Sequence, residues 1–282
     1  MKSTDRKILF FDIDGTLITE DGRRYFPDSA RRALAQARAN GHLVFINTGR
    51  VYCNVTDEIK DAGFDGFVCG CGTSIYYDGK ELFHNDVSRD VCRDIAYACR
   101  RYDMFGMYEH RDKVYVDGQN MGNELLAEMV RYFRANGIFV GEDVDSDDFE
   151  FDKFCCWFAD DNKNVPEFRE YVSQHFDYID RGSNFCEIVP KGFSKATGIQ
   201  YLLDYFDIPL ENAYAFGDGN NDAPMLLYCP NSIIMEKGPE GLKRQVMMVT
   251  DDAENDGIYK AMVKLGIIEP RNSWFILPVN NY

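Results

Sequence analysis

A short apolar run near the N-terminus constrains the fold of this chain more than any other feature. Residues 7–13 read Lys-Ile-Leu-Phe-Phe-Asp-Ile, and the run ends in the sequence Asp12-Ile13-Asp14-Gly15-Thr16. An uninterrupted apolar strand of this kind is typical of a parallel sheet, which is buried on both faces. The sequence therefore predicts a central strand that delivers two carboxylates to its C-terminal end, where open α/β sheets bind their ligands.

The residues that follow alternate between helical and extended patterns. Residues 17–19 and 23–26 flank the turn Glu20-Asp21-Gly22, which suits a short hairpin that would form a flap beside the strand end. The next predicted elements are a helix over 27–39 ended by Asn40-Gly41, a strand over 42–47, a helix over 51–62 and a strand over 66–68. This order predicts an α/β fold with a doubly wound parallel sheet.

The parallel-sheet pattern stops after residue 84 and resumes later, so we predict a discontinuous core domain formed by residues 1–84 and 186–282. The later elements are helices over 194–206, 221–228, 239–244 and 257–265, and strands over 213–217, 232–235 and 247–250. An apolar tail over 274–278 is expected to pack on the body of the domain.

Residues 85–185 are predicted to form a separate α+β unit, a cap inserted into this core. Its predicted helices cover 87–102, 121–135 and 164–175, and its strands cover 104–109, 113–116, 153–158 and positions near Tyr178 and Glu187. The acidic run from Glu142 to Asp152 is interpreted as a solvated loop, because it lacks the glycine that an EF-hand loop needs at its sixth position.

Charge and composition narrow the class of partner. The 282 residues carry a formal net charge of −16, which repels nucleic-acid phosphates and anionic lipids, so we expect neither nucleic acid nor membrane as a partner. The N-terminal apolar stretch is too short for a secretion signal or a spanning helix, and the expected location is cytoplasmic. The nine cysteines are accordingly expected to be free thiols. No signal indicates an oligomeric state.

Polar side chains follow several of the predicted strands, at the edge where such sheets bind ligands. Asp12 and Asp14 follow the first strand, Thr48 follows the second, Asp218 follows the strand over 213–217, and Lys195 begins the helix before that strand. Three carboxylates from two strands form an oxygen-only set that favours Mg²⁺ over zinc or calcium. We therefore expect Mg²⁺ as the cofactor, bound by the aspartates.

The same residue types suit phosphoryl transfer, which depends mainly on positioning and charge neutralisation. Asp12 can act as a nucleophile that forms an acyl-phosphate. Asp14 points to the same side of the strand and can protonate the leaving alcohol, then deprotonate the attacking water. Thr48 and the Gly49 amide can hold phosphoryl oxygens, and Lys195 can neutralise both Asp12 and the transferred group.

Each of these features alone also has an ordinary structural explanation. The run from Gly217 to Asp222 has the composition of a turn, and Thr48-Gly49-Arg50 that of a strand-to-helix connection. A lysine at a helix start is commonly solvated. The order of all the features, and their common place at strand ends, favours the chemical interpretation.

Four segments resemble, in this order, the motifs of the haloacid dehalogenase superfamily: Asp12 to Thr16, Thr48-Gly49-Arg50, Gly192-Phe193-Ser194-Lys195, and Gly217 to Asp222. The long insertion and the segment over 251–264 resemble the Cof-type phosphatases, which carry a large α/β cap of type IIB. The resemblance implies that Asp12 is the nucleophile, Asp14 the acid/base, Thr48 the phosphate contact, Lys195 the neutralising lysine and Asp218 the second metal carboxylate. It also implies that Mg²⁺ contacts the main-chain carbonyl of Asp14.

Two details of the resemblance need comment. Lys191 is a competing lysine, but the family context matches Lys195; Asn221 is expected to bind substrate, and Arg50 and Asp222 to support the site. Cof-type proteins usually have an Asn-Gly-Ala turn where the sheet crosses to the cap, and this chain has Cys69-Gly70-Cys71-Gly72-Thr73.

These features predict a Mg²⁺-dependent phosphatase that hydrolyses a small phosphorylated metabolite, with a sugar phosphate favoured, through an aspartyl-phosphate. The cap would close over the site, exclude water and supply specificity. Two alternatives of other classes stay open. One is a phospho-accepting regulatory switch, since receiver-like folds also combine acidic strand ends with a hydroxyl and a lysine. The other is a metabolite-binding protein with little turnover.

Overall fold

The computed structural model of the chain describes residues 6–270, which form two sheets flanked by helices. The strands are β1 (Ile8–Phe11), β2 (Leu43–Asn47), β3 (Gly66–Cys69), β4 (Ser74–Tyr77), β5 (Lys80–His84), β6 (Phe105–Glu109), β7 (Val114–Val116), β8 (Val140–Gly141), β9 (Lys153–Trp157), β10 (Phe176–Gly182), β11 (Phe185–Pro190), β12 (Ala213–Gly217), β13 (Asn231–Met235) and β14 (Met248–Thr250). The helices are α1 (Asp28–Ala39), α2 (Asp57–Lys60), α3 (Arg89–Arg101), α4 (Glu124–Ala135), α5 (Val165–Val172), α6 (Lys195–Phe206), α7 (Ala223–Tyr228), α8 (Glu240–Lys243) and α9 (Gly257–Lys264).

The core sheet has the strand order β14-β13-β12-β1-β2-β3-β4-β5, with parallel pairing from β14 to β3. Every residue of β1, β2 and β12 is buried, as expected for strands covered on both faces. The rings of Phe11 and Phe216 stack across β1 and β12 with centroids 4.5 Å apart. Burial of apolar side chains on both faces therefore fixes the position of the central strands.

Helices cover both faces of the core sheet. Apolar residues of α1 and α9 pack in one cluster with Leu9 and Phe11, whereas α6 and α7 pack in another with Ile8 and Phe10. Because successive strand residues point to opposite faces, alternate residues of β1 anchor the two layers. The predicted doubly wound α/β sheet is confirmed.

The second sheet belongs to the cap and has the order β10-β11-β9-β6-β7-β8. Helices α3 and α5 cover one of its faces, where they pack on Tyr108, Phe154 and Ile188. The alternate residues of β6, β9 and β11 point to the other face, which is turned toward the core sheet. The cap thus presents one side of its sheet to the C-terminal ends of the core strands.

The chain passes between core and cap at two junctions. The core sheet runs to His84 at the end of β5, after which α3 begins the cap. β11 pairs with β9 and β10 and extends to Pro190, past the predicted boundary at residue 185. We therefore propose that the cap ends at Pro190.

One predicted helix is wrong, and a second begins later than predicted. The helix expected over 51–62 is replaced by a 3₁₀ turn at Tyr52–Asn54 and the short helix α2, with extended Val55 and Thr56 between them. Val55 is buried in the core, and the Cys53 amide donates to the Arg111 carbonyl of the cap, so both contacts hold the segment out of a continuous helix. The helix expected from residue 221 begins at Ala223, after a 3₁₀ turn.

The flap over residues 17–26 does not form the predicted hairpin strands. It has one backbone hydrogen bond across its neck, from the Thr19 amide to the Tyr25 carbonyl, and Arg24 adopts a left-handed φ of 49°. Within the turn, the Asp21 carboxylate instead accepts hydrogen bonds from Thr19 Oγ1 and Arg23 Nε. These local side-chain contacts compete with strand pairing.

The hairpin formed by β4 and β5 was missed. Its turn is Asp78-Gly79, with φ of 50° and 71°, and an Asp-Gly pair with positive φ at both residues favours a two-residue hairpin turn. The signal was therefore present in the sequence.

The apolar tail predicted over 274–278 lies outside the described residues. Within the described range, no helix is both long and apolar enough to cross a bilayer.

Candidate active site

Segments far apart in sequence meet at the C-terminal edge of the core sheet. Asp12 directly follows β1, Thr48 follows β2, Asp218 follows β12, and Lys195 is the first residue of α6. One carboxylate oxygen from each of Asp12, Asp218 and Asp222 lies within 4.8 Å of the other two. The strand ends therefore bring together the aspartates and the lysine that the sequence predicts.

Lys195 is fully buried between two of these carboxylates. Its Nζ donates to Asp12 Oδ1 at 2.6 Å and to Asp222 Oδ1 at 2.5 Å. Burial opposes the charge, but the two aspartates outweigh it and raise the pKa of Lys195. Lys191, the competing lysine, has an exposed side chain. The structure thus places Lys195, and not Lys191, beside Asp12.

Asp222 holds the loop after β12 as well as the lysine. Its Oδ2 accepts hydrogen bonds from the amides of Asp218 and Gly219, at 2.8 and 3.0 Å. Asn47 adds a contact that the sequence did not reveal: its amide side chain donates to the Lys195 carbonyl at 2.8 Å. Asn47 is the last residue of β2, and strand-end placement was the available signal.

Three carboxylates at this edge share one lysine, and the pKa values of two of them, Asp12 and Asp218, are raised. Burial first, then the neighbouring Asp222 and Asp14, raise the pKa of Asp12 to about 7 despite Lys195. Burial, with Asp12 and Asp222, raises the pKa of Asp218 to about 8. A cation bound between the carboxylates would remove this repulsion.

The donor set fits a hard divalent cation. Both oxygens of Asp222 are taken, by Lys195 and by backbone amides, which leaves Asp12 and Asp218 as the carboxylates suited to the ion. Thr16 Oγ1 donates to Asp218 Oδ1 at 2.9 Å and orients it. A Cβ on Gly15 would lie 2.5 Å from Asp218 Oδ2, so only glycine leaves room for this carboxylate. Oxygen ligands of this kind suit Mg²⁺.

The Asp14 side chain is turned away from these carboxylates. Arg50 contacts it through Nη2 at 2.6 Å and Nε at 2.9 Å, and Arg24 of the flap contacts it at 2.5 Å. Burial alone would raise the pKa of Asp14, but the two guanidinium groups outweigh burial and lower it. The structure groups the carboxylates of Asp12, Asp218 and Asp222, whereas arginines hold that of Asp14, whose place at the ion stays a prediction. Its main-chain carbonyl stays a predicted ligand.

A cavity of about 440 Å³ lies between core and cap above these residues. Thr48, Gly49, Arg50 and Asn221, all predicted substrate or supporting residues, line its core side. The volume falls within the range of small-molecule sites. The predicted phosphate-binding residues thus open onto a space of the right size.

The cap side of the cavity carries charged residues that the sequence analysis missed. Lys153 of β9 is buried; it forms ion pairs with Glu109 at 3.1 Å and with Glu187, and donates to the Gly49 carbonyl at 3.1 Å. Arg181 contacts Glu187 at 3.0 Å. Burial opposes the charge of Lys153, but the two glutamates raise its pKa. In the sequence, this group is indicated only by charged residues that lie within otherwise apolar strand segments.

The Cys69 to Thr73 turn reaches the cap but not the cavity. Cys71, at a left-handed φ of 57°, lies with its Sγ 3.6 Å from Glu187 Oε1. Gly72 packs against the start of α6, where an added Cβ would lie 2.5 Å from the Ser194 carbonyl. The turn therefore supports Glu187 and α6, and neither cysteine is among the residues that line the cavity.

Comparison with known proteins agrees with this arrangement. A family model described as haloacid dehalogenase-like hydrolase matches residues 9–262. The protein named "Putative phosphatase YkrA" of Bacillus subtilis is 26% identical over 269 residues, which is 94% of this chain and 100% of that protein. The 5-amino-6-(5-phospho-D-ribitylamino)uracil phosphatase YitU of Bacillus subtilis is 24% identical over 270 residues, covering 89% and 94% of the two chains.

A solved structure is also similar to this chain in three dimensions. The subclass IIB sugar phosphatase BT4131 superimposes with a TM-score of 0.79 at 26% identity, over 93% of this chain and 100% of that chain. The matched family model spans both the core strands and the cap. The chain therefore belongs to the haloacid dehalogenase-like hydrolases, as a phosphatase of the Cof type.

Proposed function

We propose that the chain is a Mg²⁺-dependent phosphomonoester hydrolase that acts on a small sugar phosphate through an aspartyl-phosphate on Asp12. The observation that carries this proposal is the buried Lys195, which holds the Asp12 carboxylate beside Asp218 at the floor of the cavity. A nucleophilic carboxylate must be ionised and fixed in direction, and the 2.6 Å contact with Lys195 supports both requirements.

Asp12 would attack the phosphorus atom while the alcohol leaves on the opposite side. Thr48 and the Gly49 amide border the cavity next to Asp12 and would hold the phosphoryl oxygens. Lys195 would offset the negative charge that Asp12 and the phosphoryl group share. Mg²⁺, when bound by Asp12, Asp218 and the Asp14 carbonyl, would supply further charge neutralisation.

Asp14 would move protons in both steps. The arginine contacts keep it ionised, which suits it to accept a proton from the water that attacks the aspartyl-phosphate. Protonation of the leaving alcohol requires that Asp14 first carry a proton and leave these arginines. A phosphate dianion in the cavity would compete with Asp14 for Arg50, and the proton that Asp14 takes from the attacking water in one turnover would be donated to the leaving alcohol in the next.

The cap side of the cavity favours a substrate with hydroxyl groups. Glu109 and Glu187 can accept hydrogen bonds from hydroxyl groups, and Lys153, whose three N–H donors contact both glutamates and the Gly49 carbonyl, holds them in place. Trp157 and Phe185, with ring centroids 4.9 Å apart, add an apolar wall for the carbon face of a sugar. Lys153 and Arg181 are already paired with glutamates, so the cap offers no unpaired cation to a second phosphate among the residues that line the cavity. The names of BT4131 and YitU, a sugar phosphatase and a phosphoribityl phosphatase, support this class.

Phosphate release from a panel of sugar phosphates, nucleotides and an aryl phosphate tests the proposal. We expect turnover with Mg²⁺, none after chelation, and none for Asp12→Asn. Sugar monophosphates should have the highest kcat/KM. Release that is equal with and without Mg²⁺, or that persists in Asp12→Asn, would contradict the mechanism. Binding without turnover would support the alternative of a metabolite-binding protein.

A further inference from the structure

Two histidines and an aspartate meet at the junction between the core and the cap. His84 ends β5 of the core sheet, His110 follows β6, and Asp152 precedes β9 of the cap. One ligand atom from each residue lies within 4.8 Å of the other two. Their side chains are 7%, 6% and 1% exposed, and none of the three lines the cavity above Asp12.

The hydrogen bonds of the two imidazole rings orient them toward Asp152. His84 Nδ1 lies 3.0 Å from Asp86 Oδ1, and His110 Nδ1 lies 2.5 Å from Asp112 Oδ1. The Nε2 atoms of the two rings face Asp152 Oδ1, at 2.7 and 3.9 Å. Metal-bound histidines typically have this arrangement, in which a carboxylate holds the outer nitrogen and the inner nitrogen points at the ion.

A second observation comes from Asp152 itself. Its Oδ2 is buried and accepts no hydrogen bond from any part of the chain that the structure describes. An unpaired buried carboxylate oxygen is unfavourable, so such an atom is expected to have a partner. Glu150 Oε1 lies 3.8 Å from His110 Nε2 and provides a further oxygen nearby, although Lys113 also contacts it at 3.2 Å.

We propose that His84, His110 and Asp152 bind a divalent transition-metal ion, Zn²⁺ foremost, with water or Glu150 in the fourth position. Two imidazoles and a carboxylate suit Zn²⁺, whereas Mg²⁺ prefers oxygen ligands alone. The ion would join the end of the core sheet to two strands of the cap and so restrain cap movement. The site is separate from the proposed hydrolysis at Asp12.

The competing explanation is an ion pair between a protonated His84 and Asp152. Burial lowers the pKa of His84, but the contact with Asp152 outweighs it and raises that pKa. Such a pair leaves Asp152 Oδ2 without a partner and gives no role to the direction of His110 Nε2. A metal ion bound through both carboxylate oxygens of Asp152 accounts for both.

Equilibrium dialysis of the full chain against Zn²⁺, with excess Mg²⁺, tests the proposal. Asp218→Asn is used as the background, so that Zn²⁺ at the core carboxylates is not counted. We expect one bound equivalent, with the visible absorption of a four-coordinate ion when Co²⁺ replaces Zn²⁺. His110→Gln should abolish the binding, and Asp112→Asn should weaken it about 10- to 100-fold. His175→Gln, an exposed histidine of the cap, should leave it unchanged.

Two results would overturn the proposal. One is no Zn²⁺ uptake in the Asp218→Asn background. The other is an affinity that Asp112→Asn and His84→Gln leave unchanged. The side chain of Asp112 is 68% exposed, so Asp112→Asn is expected to fold. The test therefore remains valid even if His110→Gln fails to fold. An increase in the melting temperature of the Asp218→Asn protein with Zn²⁺, absent when His110→Gln is added, would further support an ion that joins the core to the cap.

Discussion

The carboxylate of Asp14 is paired with two arginines, whereas a general acid must carry a proton. Its two arginine partners hold it ionised, and this state suits only one of its two proposed proton transfers. We therefore propose that the chemistry at this position depends on exchange of Arg50 between the carboxylate and the substrate phosphate.

Asp14→Asn is expected to lower turnover of a sugar phosphate by more than ~10²-fold, because the variant lacks the acid/base. The loss in kcat/KM, which reports the first step, should be smaller for an aryl phosphate, whose leaving group needs little protonation. Steady-state kinetics with both substrates measures the difference. Asp21→Asn, which breaks the pair with Arg23 in the same flap, is the matched control and should keep full activity. Full activity of Asp14→Asn would contradict the assignment.

His42 gives the molecule a predictable response to acid. It is buried next to β2, its Nδ1 accepts from the Lys7 amide at 3.3 Å, and burial lowers its pKa below the usual value of 6.5. The unfolded chain therefore binds a proton that the folded chain excludes, so stability is present above pH 6.5 and is lost as the pH falls below it. Urea unfolding should show a smaller loss between about pH 7 and pH 5 in His42→Gln than in the wild type or His175→Gln. An equal loss in all three would contradict the prediction.

The sequence was sufficient for the residues that follow strands. Asp12, Thr48 and Asp218 could be predicted because a parallel sheet places its C-terminal ends at one edge, whatever the loop lengths. Lys195, at the start of α6, was preferred over Lys191 on the family resemblance alone. Lys153 with its two glutamates could not be predicted, because antiparallel register pairs Glu109 with Lys153 across 44 positions of sequence and no local pattern records that register.

At the scale of elements, the core strands and most helices follow from apolar periodicity, and the errors occur where tertiary contacts decide. The segment over 51–62 has a helical pattern, but Val55 is drawn into the core and Cys53 bonds to the cap. The hairpin β4–β5 was marked by Asp78-Gly79, a local signal that was present and not used.

Gly72 packs against the start of α6, so a larger residue at position 72 is expected to displace the beginning of that helix. Lys195 is the first residue of α6 and would be displaced with it. Gly72 and Gly79 both have positive φ, of 92° and 71°, but a Cβ at Gly72 would lie 2.5 Å from the Ser194 carbonyl, while Gly79 has nothing within 4 Å. Each alanine variant should lose about 1–2 kcal/mol of unfolding free energy from its left-handed backbone. Gly72→Ala should lose more and should also lower kcat. Equal losses in the two variants would show that the contact with α6 is unimportant.

At the scale of the whole molecule, the cap and the core meet through buried charge. Lys153 reaches from the cap to the carbonyl of Gly49, in the loop that we propose holds the phosphate. The group of His84, His110 and Asp152 joins the end of β5 to the cap strands β6 and β9. The cap therefore contacts the core both at the loop of Gly49 and at the end of β5.

Lys153→Met should separate substrate recognition from chemistry. Because Lys153 orients the two glutamates that we propose bind the sugar hydroxyls, the variant should raise KM for the sugar phosphate about tenfold or more, since a hydrogen bond to a charged group contributes about 1.5–3 kcal/mol. KM for an aryl phosphate, which lacks those hydroxyls, should change little. Lys163→Met, at an exposed position of the cap, is the control. Equal increases for both substrates would assign Lys153 to cap closure alone.

The most direct test of the account is a search for phosphate bound to Asp12. Wild type, Asp14→Asn and Asp12→Asn are mixed with an aryl phosphate and Mg²⁺, quenched in acid within milliseconds and analysed by peptide mass spectrometry. We predict a phosphorylated peptide containing Asp12, enriched in Asp14→Asn because that variant hydrolyses the intermediate slowly, and absent in Asp12→Asn. Turnover by the wild type with no phosphorylated Asp12 in either of the first two proteins would contradict covalent catalysis.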